Sequence, residues 1–293
     1  MDRTTDRRDL ADYVRRVTSA EAPYGAPIDS TMRVMTWNVW GRFGPWERRA
    51  AGILRVIGDL APDVVLLQES WVDASGLQQC AMLGESLGMH HCCSGADMLF
   101  GDWGSVNAVL SRWPITEHRV TELPALDPAG WGGLALRASI DGPRGRLLVY
   151  CVALDWPPAA SLPRQHALRH LAGEIIADTA EVRAPVIVGG DFNAAPGSDE
   201  LRMLTGECEP ARPGFVLFDG WDVAGPGDGA TWSRTNPWTV PTLLPDRRID
   251  YLLTGWPRRG GVGSAVASGL SGTESVDGVV PSDHYAVWAD LRY

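Results

Sequence analysis

The chain has 293 residues, 45% of them hydrophobic and 21% charged, and a formal net charge of −10. That length allows one two-layered α/β or sandwich domain to bury about three quarters of its unfolded surface, so the core needs no disulfide. The acidic balance, with no basic stripe, disfavours long DNA or RNA as a substrate, because proteins that track phosphate backbones draw affinity from clustered Lys and Arg.

Five cysteines, odd in number and without a CxxC pair, point to a reducing, cytoplasmic setting. The N-terminal MDRTTDRRDLADYVRR is too charged for a signal peptide, and no apolar run approaches the roughly 20 residues of a membrane span. The 13 Trp are expected in core and loop packing rather than in an aromatic substrate pocket, the alternative their number raises. Oligomeric state leaves no readable mark.

Residues 1–30 form a charged segment, at best a short helix, followed by the Pro/Gly/Ala-rich connector AEAPYGAPIDS. A domain is expected over residues 31–293. RVMTWNVW alternates as a strand. In ERRAAGILRVIGDL, Ile53, Val56, Ile57 and Leu60 share one side of a helix that Pro62 stops, and DVVLLQES is a buried strand ending at Gln68-Glu69.

VNAVLS and LALRASI read as strands, the latter forming a hairpin with RLLVYCVAL through a GPRG turn. RQHALRHLAGEIIADTAEV places Leu168, Leu171, Ile175 and Ile176 on one helical stripe, and VIVGG then runs to Asp191. RRIDYLL and HYAVWADL add strands, with Tyr285, Val287, Ala289 and Leu291 alternating. Many strands and few helices predict an α/β fold of two packed sheets flanked by helices.

Polar clusters close these strands: Asn38, Glu69, Asp191 with Asn193, Asp250, and Asp283 with His284. Asp191 and Asn193, two apart in an extended segment, face one object. Glu69, Asn38 and Asp283 offer the oxygen ligands that Mg²⁺ or Mn²⁺ prefers. Asp250 offers a carboxylate to orient the His284 imidazole, leaving its other nitrogen for a reacting oxygen. The other five histidines read as surface or packing residues.

The ordered set TWNVWG, LLQES, VNAVLSRWPI, VGGDFNAAPGSDELR, TWSRTNPW, RRIDYLL and PSDHYAVWADL resembles the endonuclease/exonuclease/phosphatase superfamily, from about Met32 to Tyr293. That superfamily includes deoxyribonuclease I, apurinic endonucleases, inositol-polyphosphate phosphatases and neutral sphingomyelinases. The resemblance implies a four-layered α/β/β/α sandwich and Mg²⁺- or Mn²⁺-dependent hydrolysis of a phosphate ester.

Position by position, it makes Glu69 the main metal ligand, with Asn38 beside it and Asp283 near the ion. Asp191 would orient or deprotonate the attacking water, Asn193 would hold a phosphate oxygen, and His284, oriented by Asp250, would bond another or move a proton. One position departs: the family often has a His where LLVYCVALDWPP has Ala153; Asp155, on the same strand face, is a candidate substitute but is expected first as a loop cap. The expected function is a phosphoesterase for a small-molecule or lipid-like ester. Ala153 also leaves open a diverged reaction in specialised metabolism or an inactive binding protein. Specificity is expected in the loops FGPWERR, SGADMLFGDWGS, ALDPAGWGG and SRTNPWTVPTLLPD.

Overall fold

Two strand–helix–strand passages set the frame. In the first, β1 (Thr31–Asn38) leads into α1 (Trp46–Leu60) and returns as β2 (Val64–Asp73), which pairs parallel with β1. In the second, β8 (Gly145–Leu154), α3 (Ser161–Thr179) and β9 (Ile187–Asp191) repeat the path, again with a parallel pair. The computed structural model describes residues 24–96, 98–127, 130–179, 182 and 184–293; most of the charged N-terminal segment, residues 1–23, lies outside them.

Local chemistry accounts for α1. Ile53 and Ile57 are buried on one face, Val56 and Leu60 pack partly buried beside them, and Ala61 turns left-handed at φ 49° ahead of Pro62. In α3 the buried stripe is Leu168, Leu171 and Ile175 with Ala167 and Ala172, whereas Ile176 is 45% exposed. The helical turn carries Ile176 about 100° away from its neighbour, so it leaves the stripe expected for it.

Each parallel pair lies inside a larger mixed sheet. The first sheet adds β3 (His90–Cys93), β4 (Met98–Phe100), β5 (Trp103–Ser111), β12 (Ala265–Ser271) and β13 (Ala286–Arg292), in the order β12-β13-β1-β2-β5-β3, with β4 also on β5. The second adds β6 (Ile115–Glu122), β7 (Gly133–Gly142), β10 (Phe218–Asp219) and β11 (Asp250–Thr254), in the order β10-β11-β9-β8-β7-β6. β7 and β8 form the expected hairpin, with Gly142 opposite Gly145. Ala286 rather than His284 begins β13, so Asp283 and His284 sit in the loop before it.

Alternation along the strands fills three cores. Val34, Leu66 and Val109 of the first sheet meet Leu136, Val149 and Leu252 of the second. The outer face of the first sheet, with Met35, Trp37 and Leu67, packs under α1 and α2 (Gln79–Leu87). The outer face of the second, with Tyr150, Val188 and Leu253, packs under α3 and α4 (Asp199–Thr205). The layers therefore run α/β/β/α. Residues 24–30 are fastened to the far end of the chain: Ile28 N donates to Gly260 O at 2.9 Å and Ser30 Oγ to Tyr293 O at 2.6 Å. Among the described residues no helix is long and apolar enough to cross a membrane. All five cysteines are free.

Candidate active site

The carboxyl ends of the two parallel pairs meet at one mouth of the sandwich. Asn38 ends β1 and Asp191 ends β9; Ala153 on β8 is in register with Asp191, and so is Asp250 at the start of β11. Glu69 follows Leu67, which points outward, so simple alternation would send it under α1. A register shift between Leu67 and Ser70, with Glu69 left-handed at φ 52°, turns it inward instead.

The Gly-Gly before Asp191 is required by close approach. A Cβ on Gly189 would stand 2.6 Å from Leu66 Cδ1 of the opposite sheet, and one on Gly190 would stand 1.9 Å from Val152 O. Only glycine lets the neighbouring chains come this near the end of β9.

Hydrogen bonds knit the groups together. Asn38 Nδ2 donates to Glu69 Oε1 at 2.9 Å and to Asp191 Oδ2 at 3.1 Å, while Asn38 Oδ1 accepts from Trp40 N at 3.0 Å. In this arrangement Asn38 serves both carboxylates as a donor, and Oδ1 is the atom it would offer an ion. His284 Nδ1 lies 2.9 Å from Asp250 Oδ2, and its Nε2 is 3.8 Å from Asp191 Oδ2. Asn193, left-handed at φ 51°, accepts nothing with its amide nitrogen: Nδ2 donates to Leu154 O at 3.0 Å.

A second tier holds this geometry. Ser282 Oγ donates to Asn38 O at 2.7 Å and Trp37 Nε1 to His284 O at 2.8 Å. The buried Arg49 guanidinium donates to the carbonyls of Val39, Trp40, Gly41, Phe43 and Pro281, joining the loop after β1 to the loop that carries Asp283. Burial lowers its pKa to about 10 against the pull of Asp283 and Glu69.

Charge accumulates here. Burial, reinforced by Asp250, pushes Asp191 up to about 7, and burial with Glu69 does the same to Asp283. Burial alone would depress His284, but Asp250 and Asp191 outweigh it and hold the imidazole well above its ordinary value. Asp250 Oδ1 is buried without a hydrogen-bond partner. A buried set of carboxylates with one imidazolium, and with the Arg49 donors spent on carbonyls, has the chemistry to hold a hard divalent cation. Asp191, Asp250 and His284 are also close enough together, within 4.8 Å, to hold one.

The structure thus brings together Asn38, Glu69, Asp191, Asn193, Asp250, Asp283 and His284. Ala153, in register with Asp191, faces the same side of the sheet; neither it nor Asp155, past the end of β8, is among the residues lining the cleft. The mouth opens into a cleft of about 370 Å³. Its walls include Trp40, Phe43, Phe100, Trp156 and Trp232, so several tryptophans expected in packing line the site instead. The loops containing Phe43, Phe100 and Leu244 contribute walls as expected; none of the described residues of 125–133 does. Sequence reasoning missed Arg49, Trp232 and Arg247. The last two follow from a short antiparallel bridge, Trp232 to Arg247, that no periodicity marks.

The model of the Endonuclease/Exonuclease/phosphatase family matches residues 35–284. No curated protein matches. Among solved structures, an endonuclease/exonuclease/phosphatase from Beutenbergia cavernae is 27% identical, with a TM-score of 0.68 over 89% of this chain and 71% of that one. TDP2 of D. rerio, complexed with single-strand DNA product, is 20% identical, with a TM-score of 0.72 over 90% and 100% of the two chains. The catalytic domain of human Nocturnin, with bound sulfate, is 19% identical, with a TM-score of 0.66 over 90% and 95%. With the matched profile spanning every strand-end group described above, the chain belongs to the Endonuclease/Exonuclease/phosphatase family.

Proposed function

We propose that this protein is a divalent-metal-dependent phosphoesterase acting on a small-molecule or lipid-like phosphate ester. The observation that carries the reading is the buried Asp250–His284–Asp191 array standing beside Glu69 and Asp283. Glu69 and Asp283, with Asn38 beside them, would hold Mg²⁺ or Mn²⁺, which when bound supplies positive charge against the phosphate.

The chain's own groups do the rest. Asp191, fixed by Asn38 Nδ2 and by Asn193 N at 2.9 Å, orients the attacking water and accepts its proton. Asp250 holds His284 Nδ1, so protonated Nε2 faces the cleft and donates to a phosphate oxygen or to the leaving group. Asn193 has a second amide hydrogen for another phosphate oxygen. Aromatic walls and the net charge of −10 favour a small or apolar ester over a long nucleic acid, even though one structural relative holds single-strand DNA.

The test is turnover of a panel of phosphate mono- and diesters with Mn²⁺, together with metal-induced thermal stabilisation. Turnover is expected in wild type and not in Asp191→Asn, and Glu69→Ala is expected to lose the stabilisation. A second reading, favoured by the 4.8 Å grouping of Asp191, Asp250 and His284, seats the ion there instead. In that case His284→Ala, not Glu69→Ala, abolishes metal stabilisation. A panel left untouched with metal present sinks the phosphoesterase reading.

A further inference from the structure

The chain contains no lysine, so every fixed cation is an arginine, and 36 acidic residues compete for them. Among the described residues Arg33, Arg42, Arg137, Arg164 and Arg248 are each paired with a carboxylate. Arg49 and Arg292 lack such a partner and donate to backbone carbonyls instead; Arg247 is set apart by its place in the cleft. It lines the catalytic cleft, has no carboxylate partner among the described residues, and spends one side-chain hydrogen bond, Nη2 to Asn193 O at 3.1 Å. A guanidinium carries five N–H donors, so most of its donor capacity is uncommitted inside an acidic site.

Its position is set from both ends. Its backbone pairs with Trp232 through two hydrogen bonds of 2.9 and 2.8 Å in an antiparallel bridge. Residues directly opposite in such a bridge project to the same side. Trp232 meets the His284 ring edge-on at 5.0 Å between centroids, so one residue links the bridge that holds Arg247 to the imidazole. On the other flank Asn193 links the two sides of the cleft: its carbonyl accepts from Arg247 and its amide donates to Leu154 O, one residue beyond Ala153. The cation thus sits at the corner where β8 ends without a polar side chain.

We propose that Arg247 grips a non-bridging oxygen of the substrate phosphate and supplies the contact that Ala153 cannot make. The inference rests on the phosphoesterase reading for the identity of the ligand, and on the bridge geometry for the identity of the residue. A planar guanidinium matches two phosphate oxygens at once, and such charge-assisted bonds are stronger than neutral ones. Arg247 adds positive charge to a cleft where Glu69, Asp191 and Asp283 would otherwise repel an anionic ester.

The experiment is calorimetric titration of the Mn²⁺-loaded protein with inorganic phosphate, for wild type, Arg247→Ala and Arg247→Gln. Melting temperature and Mn²⁺ affinity are measured on the same samples. Gln keeps a donor for the Asn193 carbonyl but not the charge, so it answers if the Ala variant folds poorly. Both variants are expected to bind phosphate about 10- to 100-fold more weakly, with Mn²⁺ affinity unchanged. A purely structural Arg247 would lower the melting temperature and leave phosphate affinity alone. Phosphate binding by Arg247→Gln within about twofold of wild type overturns the proposal, as does failure of the loaded wild type to bind phosphate. Arg247-dependent phosphate binding without turnover of any ester overturns the phosphoesterase reading and keeps the assignment of Arg247.

Discussion

Replacing Asp283 by Asn separates the cost of burying charge in the site from the use made of it. Burial, together with Glu69, moves the Asp283 carboxyl from 3.8 to about 7, against the pull of His284 and Arg49. The folded protein therefore holds this proton more tightly than the unfolded chain does. Stability falls as pH rises through roughly 4 to 7, and the full cost is present only above that window. A pKa moved from 3.8 to about 7 corresponds to about 4 kcal/mol at most. The pull of His284 is already contained in that shift, but the Asn amide is itself a buried polar group that leaves water on folding, which trims the expected gain to about 1–3 kcal/mol.

In chelator, Asp283→Asn is thus expected to melt about 2–8 °C above wild type near pH 8, with the difference shrinking toward pH 5. In Mn²⁺ the order reverses, because wild type keeps the anionic oxygen for the ion. Scanning calorimetry across that pH range, with chelator or with Mn²⁺, decides the matter. An Asn variant no more stable than wild type in chelator at pH 8 refutes the charge accounting. Equal gains from Mn²⁺ in both proteins refute a ligand role for Asp283.

Two further outcomes follow from the packing. Gly190→Ala sets a Cβ 1.9 Å from Val152 O, a backbone atom that cannot swing away, so β8 and β9 must part. The expected loss is about 3 kcal/mol or more, with activity falling alongside stability; denaturant unfolding that matches wild type contradicts it. Ala153→His should change phosphate-ester turnover by less than about threefold in wild type yet recover about tenfold in Arg247→Ala. Steady-state kinetics of the double-mutant cycle checks this, and equal effects in both backgrounds would show that the two positions are independent.

How much of this was legible depended on whether a residue's role is local. The frame was: apolar runs ending in Glu69 and Asp191, the helix closed by Pro62, and the GPRG hairpin all follow from short-range rules. The structure also brings the polar groups at the ends of these strands to one mouth, whereas the parallel pairing of β8 with β9 is known only from the structure. The misses are non-local. Ile176 is one helical step off a stripe whose partner is the outer face of the second sheet together with α4. Trp232 and Arg247 acquire their meaning from a two-residue bridge, and Glu69 points inward through a bulge rather than by alternation. β3 and β4 are four and three residues long, too brief for a period to declare itself.

The order of strands in the first sheet bears on how the protein is made. β6 through β11, residues 115 to 254, form the second sheet as one uninterrupted stretch, whereas β13 must return to pair Thr31 with Arg292 beside β1. During synthesis the β1 edge of the first sheet therefore stays open until Ala286–Arg292 have emerged, and such distant pairings fold slowly. Asp283 and His284 arrive with that last strand. The cluster of strand-end groups is consequently complete only after Ser282–His284 have been made, and a chain cut before them carries an exposed β1 edge and lacks two members of the cluster.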